Sequence, residues 1–473
     1  MMAQPANQEK MSGWKQHMTL IKALVVLIPM LILMIIPAAG NYTPEIKLFF
    51  IITVCAILLW AVDLINMTIV SLMLPVAFIL SKLATPEQVL APWTQNLPYL
   101  VLGALIISIV FEQSGLMDRL AYWFITKSGG SYKGIILALT TSGFVVSILV
   151  PGSLARVALY GGMAWGICKA MGFEKFSKAT AGLMLGAYNA AVTTSFVVMT
   201  GVEPFLVMNN QLASVGIDPM TYMGYMKDNA LLAVVWSYLV AAMIILLFKP
   251  EKGIENKSYF KEQYDKLGKM RIEEKKVALL LVVLVILLAT SSMHNIALGW
   301  IFIIMATVAF LPGINLGNEE TIKRVNFPMI FFITATMAIG QVSTVTGAGS
   351  FIANAMFPLM SLGGKGFTVF ATWVLGVGVN FVLTPFAAGA TLTIPLADLA
   401  SQLNISVYPL LYAFNHGLYE ILLPYESTLP LLIYSFGVIS FKHFLKFFGA
   451  QMIFNAIFIA AIAVPFWYLI GVL

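Results

Sequence analysis

Long apolar runs alternate with short polar breaks along the whole chain. The clear runs lie at 20–39, 46–62, 67–80, 99–110, 178–200 and 229–248, then 277–292, 296–311, 327–342, 409–423 and 447–473. Each continuous run predicts a helix, because barrel strands would read as alternating segments of about ten residues. Two further regions, 134–171 and 366–403, are apolar throughout but interrupted near the middle. Each has room for two half-depth helices and predicts a re-entrant hairpin. The pattern therefore predicts an all-α polytopic membrane protein with about 11 transmembrane helices plus two hairpins.

The pattern also repeats. 129-GGSYKGIILAL faces 363-GGKGFTVFA, with Gly134 and Gly366 separated by 366 − 134 = 232. Pro151 matches Pro385 (385 − 151 = 234), and 186-GAYNAAVTTSF matches 417-GLYEILLPYES (417 − 186 = 231). 114-SGLMDRLA faces 346-TGAGSFIA at an offset of 346 − 114 = 232. A near-constant offset predicts two copies, each with a hairpin and a broken helix, as in secondary transporters. An odd number of crossings per copy inverts the second copy. The expected organisation is a cytoplasmic tail at 1–19, a first half at 20–248, a linker at 249–276 and a second half at 277–473. Within the halves, the hairpins fall at 134–171 and 366–403, the broken helices at 178–200 and 409–440, and the last helix at 447–473.

Composition agrees with a bilayer solvent: 60% of the 473 residues are hydrophobic and 10% charged, with a mean hydropathy of +0.91. The linker carries nine Lys or Arg against six acids. The positive-inside rule places it in the cytoplasm with the N-terminus, as a solvated connection in an inner (cytoplasmic) membrane protein. The formal charge of +6 does not point to nucleic acid. Cys55 and Cys168 read as small core residues, and four histidines without cluster spacing exclude a zinc motif. No HExxH, Gly-x-Ser-x-Gly or paired aspartates lie in the spans, so an enzyme is not expected. A passive channel would not need two hairpins able to close on a substrate.

The order of features resembles the divalent-anion:sodium symporter family of the ion-transporter superfamily. The resemblance rests on 60-WAVDLINMTIVSLMLPVAFIL-80, on 114-SGLMDRLA-121, on the two hairpins, and on 424-PYESTLPLLIYSFGVISFKHFLKFFG-449. It implies a homodimer with scaffold and transport domains, moving substrate by an elevator mechanism. It also implies a Ser-Asn-Thr motif at each hairpin tip, holding substrate and lining two sodium sites. This sequence departs from that motif: aligned on the prolines, the tips read Pro151-Gly152-Ser153 and Pro385-Phe386-Ala387. It thus reads as a divergent member in which only Ser153 keeps a hydroxyl.

Proline suits the first position of a helix, and a helix start at membrane depth presents free N–H groups to an anion. Arg156 lies 156 − 151 = 5 residues beyond the first break. A charge at that depth costs on the order of 3 kcal/mol and is functional or paired. The resemblance puts this neighbourhood near a sodium site. The guanidinium either replaces that ion or reaches the substrate, the bland reading being a structural salt bridge. In the second copy Glu420 and Glu426 stand where the first has Asn189 and Ser195. Glu426 is the favoured site for sodium or a proton, and Glu420 the expected partner of Arg156 or His416. Glu203, at the end of its span, is expected to be exposed.

Expected substrate contacts are Gly152, Ser153, Arg156, Asn189, Thr194, Phe386, Ala387, Ser427 and Thr428. Glu426, Glu420, Ser195 and Thr384 are the expected coupling residues. Phe386 divides evenly between ligand contact and plain packing, and many of the hydroxyls simply bond back to a carbonyl. The expected function is secondary active transport of a small organic anion, a carboxylate or dicarboxylate, coupled to sodium or protons. The alternative is a cation-independent exchanger, or a sulfonate transporter, in which Arg156 replaces sodium. No cofactor is implied beyond sodium as a coupling ion.

Overall fold

The computed structural model describes residues 5–62, 64–150, 152–250, 258–381 and 383–473. Asp63 and Pro151 lie outside them, so the expected helix start at Pro151 is not among the described positions. The regular elements are helices. Among the described residues, seven are long and apolar enough to cross a bilayer, among them Pro44–Val62, Pro86–Ser114, Tyr222–Leu247 and Phe327–Thr346. The shorter apolar helices Met67–Leu80 and Leu298–Val308 and the broken helices occupy most of the remaining apolar runs.

The duplication is visible in the helix ends. Asn96–Ser114 stops at Gly115 (φ 77°) and restarts as Leu116–Lys127. Phe327–Thr346 stops at Gly347 (φ 76°) and restarts as Ala348–Met360, an offset of 347 − 115 = 232. Glycine enters this left-handed turn without strain, so the same break recurs in both copies. The matched long helices run antiparallel. Glu112, near the end of the first, pairs with Arg324, just before the second, at 2.7 Å. Asn96, at the start of the first, shares a cleft with Gln341 towards the end of the second. The second copy is therefore inverted.

The first hairpin is Tyr132–Leu149 followed by Ser153–Ala170. Ser142 and Tyr160 meet at 3.0 Å across it, nearly equidistant from the break, so its arms are antiparallel. The second is Gly364–Asn380 followed by Pro385–Gln402, with Pro385 in the first turn as expected. The arms hold 17 or 18 residues. At about 1.5 Å per residue each is about 26 Å long, longer than the half-depth helix expected. Beside the breaks Val150, Ser153 and Pro385 are buried, while Leu154 and Phe381 are exposed.

Each hairpin leans on its broken helix through a glycine. A Cβ on Gly143 would lie 2.3 Å from the Ala190 carbonyl, and one on Gly376 would lie 2.5 Å from that of Phe414. The first broken helix runs Lys178–Ala191, two 3-10 turns at Thr193–Val197 and Met199–Gly201, then Glu203–Gln211. The second runs Val407–Leu418, a turn at Pro424–Glu426, then Thr428–Ser435.

The linker differs from the solvated strap expected of its charges. Ser258–Lys266 is helical, and Phe260 is buried. Arg119 bonds Glu274 at 2.8 Å and the carbonyls of Gly268 (2.8 Å) and Leu267 (3.1 Å). The linker's second part is thus clamped to helix Leu116–Lys127.

Candidate functional site

The break of the first hairpin holds the densest polar contacts at depth. Arg156 is fully buried. Its Nε donates to the Ala191 carbonyl (2.8 Å) and its Nη1 to the Val150 carbonyl. Its Nη2 donates to Ser153 Oγ (2.8 Å) and to the Gly201 carbonyl (3.2 Å). The two outer carbonyls exist as acceptors because the broken helix stops at Ala191 and its 3-10 segment stops at Gly201. Helix ends leave such groups unpaired. The guanidinium therefore sits in a cage of four oxygens, three of them carbonyls, like a cation in an oxygen site. The expected pairing with Glu420 is not seen among the described residues.

The residue missed from the sequence is Glu203. Expected to be exposed, it is partly buried, and its Oε1 accepts from Ser153 N (2.9 Å) and its Oε2 from Ser153 Oγ (2.9 Å). A carboxylate thus already occupies the helix start predicted for an anion, with the favourable dipole end behind it. Ser153 Oγ links the two charges, accepting from Arg156 and donating to Glu203. The visible signal was Glu-Pro at 203–204, since proline in the first turn marks a helix start at membrane depth.

Beside this cluster lies a cavity of about 50 Å³. Its walls are mostly apolar, including Leu100, Val101, Ala104 and Ile333, with Gly152 and Glu203 at one end. Gly152 passes close to the neighbouring helix; a Cβ there would lie 2.9 Å from Ser108 Oγ. At the far end of helix Glu203–Gln211 a larger cleft of about 490 Å³ is lined by Gln95, Asn96, Asn210 and Gln341.

The second tip is built differently. The helix starts of the two tips match at Ser153 and Pro385, an offset of 385 − 153 = 232, not at the prolines. Thr384 then corresponds to Gly152, so this tip does carry a hydroxyl. Thr384 Oγ1 accepts from Ala387 N at 3.3 Å and caps its own helix. Phe386 packs edge-on against Phe332, with ring centroids 6.1 Å apart.

The remaining candidates spread over separate places. Asn189 donates to Thr140 Oγ1 (3.0 Å) and the Ser237 carbonyl (3.2 Å), away from Arg156. Thr194 and Ser195 bond back to the carbonyls of Ala190 (2.7 Å) and Val192 (2.6 Å). Glu426 folds back on its own turn, accepting from Leu423 N (2.8 Å) and Leu422 N (3.3 Å). Ser427 is partly buried and Thr428 exposed. Glu420 is 2% exposed, and its Oε2 has no hydrogen-bond partner. With Gln451, whose Oε1 is also unpartnered, it lines a closed cavity of about 10 Å³ between the two broken helices. Phe196 of the first break meets His416 of the second across it, at 4.6 Å.

Duplicated inverted halves, paired hairpins and helices broken at depth define a multi-pass membrane transport protein rather than an enzyme. The family follows from the sequence: residues 15–473 match the sodium:sulfate symporter transmembrane region, and the chain belongs to that family. The sodium-dependent dicarboxylate transporter SdcS of Staphylococcus aureus is 26% identical over 235 residues, 46% of this chain and 44% of the relative. A membrane protein of Cupriavidus necator is 20% identical over 318 residues, 66% of this chain and 62% of the relative. The chain thus spans about half the length of these curated relatives. Among solved structures, the YdaH transporter of Alcanivorax borkumensis has a similar fold. The TM-score is 0.52 at 14% identity, covering 79% of this chain and 85% of that one.

Proposed function

We propose that this protein is a secondary active transporter of a small organic anion, working as a homodimer by an elevator movement of the hairpins and broken helices. It sits in the cytoplasmic membrane with its N-terminus and basic linker on the cytoplasmic side. The observation that carries this reading is the oxygen cage around Arg156, in a family of sodium:sulfate symporters. A guanidinium there supplies permanently what an ion would supply by binding, so the first half takes no sodium. Coupling to a cation is left to the acids. Glu420, buried with a free carboxylate oxygen beside Gln451, is a better place for sodium or a proton than Glu426, whose oxygens already cap a turn.

The test is the melting temperature of the purified protein with a panel of carboxylates and sulfonates, each in sodium and in choline buffer. A ligand that binds only the folded state raises the melting temperature by mass action. Stabilisation by an anion in choline, lost in Arg156→Gln, supports replacement of the ion by arginine. Stabilisation that requires sodium and is lost in Glu420→Gln supports a cation in the second half. No response to any anion overturns the proposal.

A further inference from the structure

We infer that Glu203 holds the place of the substrate's own anionic group, and that the site carries a monoanion with an apolar body together with one proton. This rests on the anion-transport reading above and specifies its substrate class. Four N–H···O contacts from Arg156 go to Val150, Ala191, Gly201 and Ser153, and the Ser153 amide and hydroxyl go to Glu203. The second tip's N-terminal Ala387 amide is taken by Thr384. The Arg156 donors, the Ser153 pair and the Ala387 amide are therefore already taken by the chain, and an entering anion gains the Ser153 pair only when Glu203 lets go.

Arg156 and Glu203 sum to zero. The helix starting at Ser153 adds only its partial dipole charge, about half a unit. Around Glu203, the hairpin contributes Arg156 and, behind it, Tyr160, and the second broken helix contributes Tyr419. The facing walls from helices Asn96–Ser114 and Phe327–Thr346 are Leu97, Leu100, Val101, Met329 and Ile333, and beside Gly152 the first of them adds the uncharged Ser108 hydroxyl. A displaced carboxylate against such walls would be an unpaired buried anion, which costs several kcal/mol. It leaves the Ser153 pair as a neutral acid instead. The proton comes from solution to a Glu203 oxygen, the substrate's oxygens take over Ser153 N and Oγ, and the net charge of the cluster does not change. A second negative charge on the substrate would have no counterpart, and the same apolar walls accept a hydrocarbon body.

Isothermal titration of the full-length protein in sodium-free buffers of different ionisation enthalpy counts the protons taken up per anion. Benzenesulfonate is the probe, with succinate as the divalent comparison. Its charge is permanent, so any proton counted belongs to the protein. The expected result is close to one proton per benzenesulfonate and an affinity that falls about tenfold per pH unit above the Glu203 titration. In Glu203→Gln the proton count goes to zero and the pH slope flattens, while binding persists. Succinate binds more weakly than benzenesulfonate at every pH. Benzenesulfonate binding without proton uptake, or an unchanged slope in Glu203→Gln, overturns this inference and leaves anion transport standing. Tighter binding of succinate overturns the monoanion class. Failure of both anions to bind overturns the inference together with the reading beneath it. The count in the unaltered protein decides the matter even where the variant does not fold.

Discussion

The two hairpin tips answer the same problem, a helix start deep in the membrane, in opposite ways. The first brings in a carboxylate from another segment, 203 − 153 = 50 residues on, and balances it with a buried arginine. The second uses Thr384, the residue directly before its own helix. A local hydroxyl is a cap that need never move. A distant carboxylate is a cap that can give way to another anion. In the proposed site the first tip is the working one and the second a fixed counterpart.

The largest expected effect breaks the first tip outright. Arg156→Ala leaves Glu203 without its compensating charge and several carbonyls without donors. Losing one partner of a buried charge pair costs about 3–5 kcal/mol. The melting temperature should drop steeply, and sodium, inert on the unaltered first half, should restore part of it by entering the emptied cage. Sodium-independent melting of the variant would show that the cage is not a cation site. Ser153→Ala comes next: it removes the hydroxyl between two charged partners, for about 2 kcal/mol, read as a shift of the unfolding midpoint. Thr384→Ala removes only an N-cap and costs about 1 kcal/mol, without altering any pH dependence of ligand binding. A pH effect there would erase the contrast between the tips. Smallest is Glu420→Gln, within about 1 kcal/mol of neutral, because one carboxylate oxygen already lacks a donor.

Much of the fold was legible because lipid leaves the backbone few choices. Apolar runs became helices, and the offset near 232 reappeared as matched glycine breaks at Gly115 and Gly347. The antiparallel course of the two copies followed from the same repeat. The hairpin register was not legible. Aligning Pro151 with Pro385 placed the tips two residues out of step, because a proline marks a break without saying which side of the cap it occupies. Arg156 stood out for its charge in an apolar run. Its partners did not, since carbonyls have no signature in a sequence and are exposed only where a helix stops. Glu203 was hidden by its place at the edge of a run, where a glutamate ordinarily faces water. The docking of the linker escaped for a related reason: its lysines dominate its composition, while one buried phenylalanine and one arginine clamp decide where it lies.

The pairing of Arg156 with Glu203 through one hydroxyl also has an electrical consequence. Moving an elementary charge through the membrane field takes or yields about 2.3 kcal/mol per 100 mV. An unbalanced arginine on a travelling hairpin would make each return of the empty carrier a step that the resting potential helps or hinders. In the proposed elevator cycle, with the glutamate riding beside it, the dipolar pair would do almost no work against the voltage. The empty carrier is then expected to reset at the same rate in a polarised cell and in a depolarised one.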